Sequence, residues 1–155
     1  MSIRPAVSED YEVLERLWAQ QNAHHVALHP SHVRAVDDYL TREAFAEAIL
    51  APDREIAVLE EGGRIVAAAI LVSRVMDGKY TVPRGVAHVH EIVIDEAVRR
   101  QGFGRVLIGY VEDWARARSL QAVELNVWAN NAEAMAFYEE LGFTPLRYEM
   151  HKRLD

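Results

Sequence analysis

The chain's 155 residues suffice for one domain, and its 24 acidic against 17 basic side chains give a formal charge of −7 at pH 7. With no cysteine, it can build neither a disulfide framework nor a thiolate zinc site, and a cysteine nucleophile is excluded. The acidic balance disfavours nonspecific nucleic-acid binding and is compatible with a cationic small-molecule partner. The start, MSIRPAVSED, has no basic segment followed by an apolar run, and the longest apolar stretch, residues 65–72, is too short to span a bilayer. A soluble, cytoplasmic protein without a membrane partner is expected.

No repeat, long linker or low-complexity stretch interrupts the chain, so residues 1–155 read as a single domain. A short strand around residues 2–4 leads to Ser8, a candidate cap for a helix with Tyr11, Leu14, Leu17 and Trp18 at helical spacing. That helix should fade before Pro30. A second helix is predicted over 41–50, stopped by Pro52. Residues 55–75 then read as a hairpin turning at Gly62 and Gly63.

The segment 86–94, VAHVHEIVI, is β-branched and nearly continuous in apolar character, as a strand covered on both faces should be. A helix over 101–119 places Phe103, Leu107, Tyr110, Val111 and Trp114 on one stripe, and a strand over 122–128 follows. Together these make a strand-helix-strand unit with parallel strands. A last helix over 131–141 ends at Gly142, and residues 144–152 read as a closing strand.

The join after residue 94 enters its helix through two closely spaced glycines. Helix N-termini present unpaired N–H groups and a partial positive charge, and Gly102 and Gly104 would let an anion approach the backbone. Arg99, Arg100 and Arg105 add charge. A third glycine three residues after Gly104 is absent, which argues against a dinucleotide fingerprint, and no Gly-Lys-Ser/Thr is present for a P-loop.

This segment resembles the acetyl-coenzyme A signature of the GNAT superfamily of N-acetyltransferases, Q/R-x-x-G-x-G/A, standing here as Arg99, Arg100, Gln101, Gly102, Phe103 and Gly104. The second signature, N-x-x-A-x-x-F-Y followed by G-F, is matched by Asn131, Ala134, Phe137, Tyr138, Gly142 and Phe143. The resemblance is good over residues 86–152 and covers the first half only in its order of elements. It implies an α/β fold with a mixed, mostly antiparallel sheet of about six to seven strands, about four helices, and splayed parallel strands at the cofactor site. Acetyl-coenzyme A would be the co-substrate. Its pyrophosphate would lie on the 99–105 turn, with its pantetheine arm bonded by backbone of Ile92, Val93 and Ile94. One N–H there would stabilise an oxyanion, an effect of about 3 to 4 kcal/mol in acyl transfer.

On the same resemblance Tyr138 is the candidate proton donor to the departing thiolate. With pKa values near 10 for tyrosine and about 8.5 for a thiol, full transfer is uphill by roughly 2 kcal/mol, so a hydrogen bond could be its contribution. For the base that deprotonates the amine, the strand offers His88, His90 and Glu91. Strand alternation puts the two histidines on one face and Glu91 on the other unless a bulge intervenes, and the resemblance implies one near Ile92 or Val93. His24, His25, His29 and His32 read as a polar segment linking the first two helices rather than as a metal site, and the resemblance implies that this segment, with Asp37, Asp38 and Tyr39, lines the acceptor pocket. Three functions remain open: acetyl transfer to a small-molecule primary amine, acetyl transfer to a protein or peptide amino group, and noncatalytic acyl-coenzyme A sensing. The tail EMHKRLD suggests a homodimer contact.

Overall fold

The computed structural model describes residues 1–154 of the chain. Five strands form one sheet in the order of the sequence: β1 (Ser2–Pro5), β2 (Arg54–Glu61), β3 (Arg64–Met76), β4 (Arg84–Ile94) and β5 (Ala122–Leu125). All neighbours are antiparallel except β4 and β5. Four helices flank the sheet: α1 (Tyr11–Leu28), α2 (Arg42–Leu50), α3 (Phe103–Ala117) and α4 (Ala132–Glu140).

Alternation along the strands divides the interior into two layers. Ala57, Leu59, Ala67, Ala69, Leu71, Ala87 and Val89 face α3, whose Phe103, Leu107, Val111 and Trp114 form its buried stripe. Ile56, Val58, Ile65, Ala68, Ile70 and Val93 face the other way, against Leu14, Leu17 and Trp18 of α1 and Phe45 of α2. Small alanines in the middle of β3 let both helical layers approach the sheet closely.

Three expectations need correction. Ser8 does not cap α1; it lies in a 3-10 turn, Ser8–Asp10, and bonds Glu9. The turn is held instead by Asp10, which accepts from the Val7 N–H at 2.8 Å and from Arg4 at 2.7 Å. The sheet has five strands, not six or seven, because residues 144–152 form no strand. Leu146, Tyr148 and Met150 of that tail do alternate, but no backbone ladder joins them to another strand among the described residues, and they are 70%, 79% and 89% exposed. The predicted strand over 122–128 stops at Leu125, where β5 loses its neighbour.

Candidate active site

The β4–β5 ladder runs from the Val86–Ala122 pair to Val89–Leu125 and ends there. Beyond that point β4 continues through residues 90–94 with no strand on its β5 side among the described residues, so backbone groups of Ile92, Val93 and Ile94 border a wedge. The parallel pair therefore parts after Val89 and Leu125, where β5 itself ends.

The turn between β4 and α3 stands at the wide end of the wedge. Asp95 caps a short 3-10 turn, Glu96–Val98, by accepting from the Ala97 N–H at 3.1 Å. Arg100 at φ 63° and Gly102 at φ 87° then place two left-handed residues one apart. Alternating hands of this kind turn successive N–H groups toward a common centre and make an anion-binding nest. Among the described residues, the N–H groups of Gln101, Gly102, Phe103, Gly104 and Arg105 have no protein acceptor; the first helical bond is Val106 to Gly102, at 3.2 Å. That array fits a diphosphate. A non-glycine at positive φ is an uncommon conformation, and its occurrence at Arg100 is a feature the sequence did not signal.

The two glycines act differently. A Cβ at Gly102 would meet nothing within 4 Å, and it is the backbone hand that calls for glycine there. A Cβ on Gly104 would lie 3.0 Å from Cζ of Phe137, so this glycine admits α4 against the start of α3. The second signature is thus partly architectural. Phe137 packs on Gly104, and Asn131 caps α4 by accepting from the Ala134 N–H at 3.2 Å. Phe103 turns its ring into the core and leaves only its N–H to the nest. Arg99 donates to the Ile94 carbonyl at 3.3 Å, while Arg100 and Arg105 reach α4, pairing with Glu133 at 3.1 Å and Glu140 at 2.5 Å.

The bulge on β4 falls at His90, not at Ile92 or Val93. Val89 pairs with Leu71 and Glu91 with Ile70, leaving His90 as the extra residue. The insertion turns Glu91 to the α1 and α2 face, the face that already carries His88 by register with Val72. There Glu91 accepts from Gln21 of α1 at 2.6 Å and from the Tyr39 hydroxyl. Burial, then the Glu91 hydrogen bond, raises the Tyr39 phenol above the ordinary range. His25, one turn after Gln21, is held below its usual value by burial first, with Glu91 acting in the opposite sense.

Tyr138 lies on α4, its ring against Phe137 and Phe143. Its ring is 9% exposed, and burial, followed by the negative charge of Glu91, pushes its phenol up to about 12. Its hydroxyl has no hydrogen-bond partner among the described residues. The Glu91 charge thus acts on the Tyr138 phenol. His90 instead lines an open cavity of about 520 Å³ with Tyr39, Glu47, Ile56 and Ile70. His88 lies one row further along the sheet, its ring centroid 6.3 Å from that of His90, and is not part of the Glu91 cluster.

Of the histidine-rich segment, only His25 joins the cluster. His29 is buried and stacks on Trp128 at 4.2 Å, while His32 meets His151 at 5.2 Å. Gln21 was not anticipated. Nor was the seam beside it, in which Arg16 pairs with Asp95 at 3.1 Å and Gln20 accepts from the Glu96 N–H at 3.1 Å. The spacing of Arg16 and Gln20, i and i+4 beside the apolar stripe, was the available signal.

A mixed sheet whose parallel pair forks beside a helix-opening nest defines the class of fold to which the comparisons then give a name. The family model described as "Acetyltransferase (GNAT) family" matches residues 11–143, and the chain belongs to that family. A mycothiol acetyltransferase of Beutenbergia cavernae is 30% identical over 136 residues, covering 87% of this chain and 43% of that protein. A glucosamine 6-phosphate N-acetyltransferase of Oryza sativa subsp. japonica is 33% identical over 120 residues, 72% of this chain and 68% of that one. The chain spans less than half the length of the first of the curated relatives it matches. Among solved structures, a mutant of the BH1408 protein of Bacillus halodurans superposes with a TM-score of 0.94 at 26% identity, with 99% of both chains covered. A glucosamine-6-phosphate N-acetyltransferase of Arabidopsis thaliana shares the fold at a TM-score of 0.72 and 21% identity, covering 99% of this chain and 98% of that one.

Proposed function

We propose that the chain transfers an acetyl group from acetyl-coenzyme A to the primary amine of a small molecule, by direct attack and in the cytoplasm. The observation that carries this reading is the run of unpaired N–H groups at residues 101–105 beside the stretch of β4 that outlasts β5, with Glu91 fixed on that strand by Gln21 and Tyr39. When bound, the co-substrate supplies an activated thioester. The nest and the free edge of β4 hold its two ends, and no side-chain nucleophile is required.

The amine nitrogen forms a bond to the acetyl carbon as the carbon–sulfur bond breaks. Of the two protons an ammonium sheds in becoming an amide, Glu91 takes the first, directly or through a water, and the departing sulfur receives the second. Gln21 and Tyr39 fix the Glu91 carboxylate, and the bulge at His90 aims it. With its phenol near 12, Tyr138 would transfer a proton to a thiolate only about 5 kcal/mol uphill. Its contribution is therefore a hydrogen bond to the sulfur. No helix among the described residues is long and apolar enough to cross a membrane.

The relatives named for mycothiol and glucosamine 6-phosphate favour a small acceptor. A relative named as a ribosomal protein bS18-alanine N-acetyltransferase, from Escherichia coli, is 40% identical over 57 residues and keeps a protein amino group as the second reading. The test is release of free thiol from acetyl-coenzyme A with a panel of amines, preceded by thermal melting. Acetyl-coenzyme A at a hundredfold excess over Kd should stabilise by about 2.7 kcal/mol. Stabilisation without thiol release from any amine or peptide would leave a sensor, and no stabilisation would remove the proposal.

The proposal extends to a homodimer. Leu146, Tyr148, Met150 and Leu154 stand exposed on an extended tail beside a groove of about 470 Å³ bordered by α3 and β5. Sedimentation equilibrium should give twice the chain mass; a monomer at tens of micromolar would refute this part.

A further inference from the structure

The face of the sheet that carries Glu91 continues past the core that α1 and α2 bury. On that face α1 and α2 bury Ile56, Val58, Ile65, Ala68, Ile70 and Val93, all in the Glu91 row or on the side of it nearer the nest. The next row runs Arg54, Val72, His88, Glu124 across four strands, each residue in register with its neighbour. One row further, Arg74 stands opposite Val86. Alternation puts Arg74, Val72 and Ile70 on one face, so Arg54, His88 and Arg74 continue the floor on which Glu91 stands.

In a chain of charge −7 this is a cationic strip. Arg84 is committed to Glu124, at 2.7 Å, which consumes the one carboxylate in the row. Among the described residues Arg54 makes one ion pair, with its neighbour Asp53 at 3.6 Å, and it borders the cavity that Glu47 also lines. Arg74 is exposed and has no ion pair among the described residues. His88 is held below its ordinary value by burial first and then by the charge of Arg74, with Glu124 acting in the opposite sense. Arg74, a guanidinium with no ion pair among the described residues, thus stands on the same face as His88 and Arg54, where a bound anion would neutralise it.

We propose that the acceptor carries, besides the amine that is acetylated, an anionic oxygen group of carboxylate or phosphate type, read by Arg74 with Arg54 and His88. The inference rests on the fork at Glu91 being the site of transfer. Two to four residues along a strand span roughly 7 to 13 Å, which sets the separation of amine and anion. The acceptor is then a zwitterion: its ammonium lies at Glu91 and its anion at the strip.

Two measurements test this. In the first, inorganic phosphate is titrated into the full chain at saturating coenzyme A while the His88 ring resonances are followed. A saturable shift in the wild type that is lost in Arg74→Gln and kept in Arg64→Gln, at the distant hairpin, is expected. In the second, kcat and KM are compared for ω-amino carboxylates of increasing length, their carboxamides, and aminoalkyl phosphates with their alcohols. The charged member should have a KM about tenfold lower than its neutral partner, and Arg74→Gln should collapse that ratio toward one. The carboxylate and phosphate series decide between the two anion chemistries. Equal KM for charged and neutral members, or a phosphate response indifferent to Arg74, overturns the proposal even where acetyl transfer itself proceeds. If no amine is acetylated, the function proposed above fails, and the phosphate titration still decides whether the strip binds an anion.

Discussion

Glu91 owes its position to one inserted residue. Without His90 as an extra residue, strict alternation would send the carboxylate to the α3 face, where Ala87, Val89 and Ile92 pack. Because Gln21 and Tyr39 bind it from two separate segments, its geometry depends on α1 and on the α1–α2 connection together. Tyr138 is the complementary case: it loses no hydrogen bond on truncation, since its hydroxyl has no protein partner among the described residues. Tyr138→Phe should therefore cost little stability, leave the KM for acetyl-coenzyme A nearly unchanged, and lower kcat about tenfold to a hundredfold. An unaltered kcat in steady-state assays would remove its proposed role.

At the level of elements, α1 carries two functions on adjacent faces. Leu14, Leu17 and Trp18 bury it against the sheet, while Arg16, Gln20 and Gln21 tie it to Asp95, Glu96 and Glu91. The helix thus links Glu91 to the turn that opens the nest. Helix α3 shows a different division of labour, between its start and its middle. At Gly102 the left-handed backbone excludes a side chain, and Gly102→Ala should destabilise by about 1–2 kcal/mol. Gly109 sits within the helix, where an added methyl would meet nothing within 4 Å, so Gly109→Ala should stabilise by about 0.8–1 kcal/mol and raise Tm by about 2–4 °C. Melting curves of the two variants should therefore move in opposite directions; a shared direction would contradict the two backbone environments.

For the molecule as a whole, pH acts through histidines that folding desolvates. His25 and His88 both titrate below the ordinary 6.5, because of burial first; Glu91 opposes the shift at His25, and the charge of Arg74 adds to it at His88. Below about pH 6.5 the unfolded chain takes up these protons before the folded one does. Their contribution is thus fully present above 6.5 and lost as the pH falls toward the folded values. Urea midpoints at pH 7.5 and 5.5 should drop more in the wild type than in a His25→Gln, His88→Gln double variant. Equal drops would show that the two rings do not carry the effect.

Much of this was legible along the chain, because the signals were local. The Gly62 and Gly63 hairpin, the apolar stripe of α3, and the 99–104 and 131–143 motifs each depend on residues within a few positions of one another, so type and place could be read together. What only the tertiary structure decided were relations between distant segments. Whether residues 144–152 become a strand depends on a neighbour for their backbone, and alternation at Leu146, Tyr148 and Met150 cannot supply one. The face taken by Glu91 depends on register against β3, the role of Gly104 on a ring 33 positions away at Phe137, and the cationic strip on three strands brought side by side. Periodicity fixes how a segment can fold, whereas pairing and packing across the chain select which of its faces meets which partner.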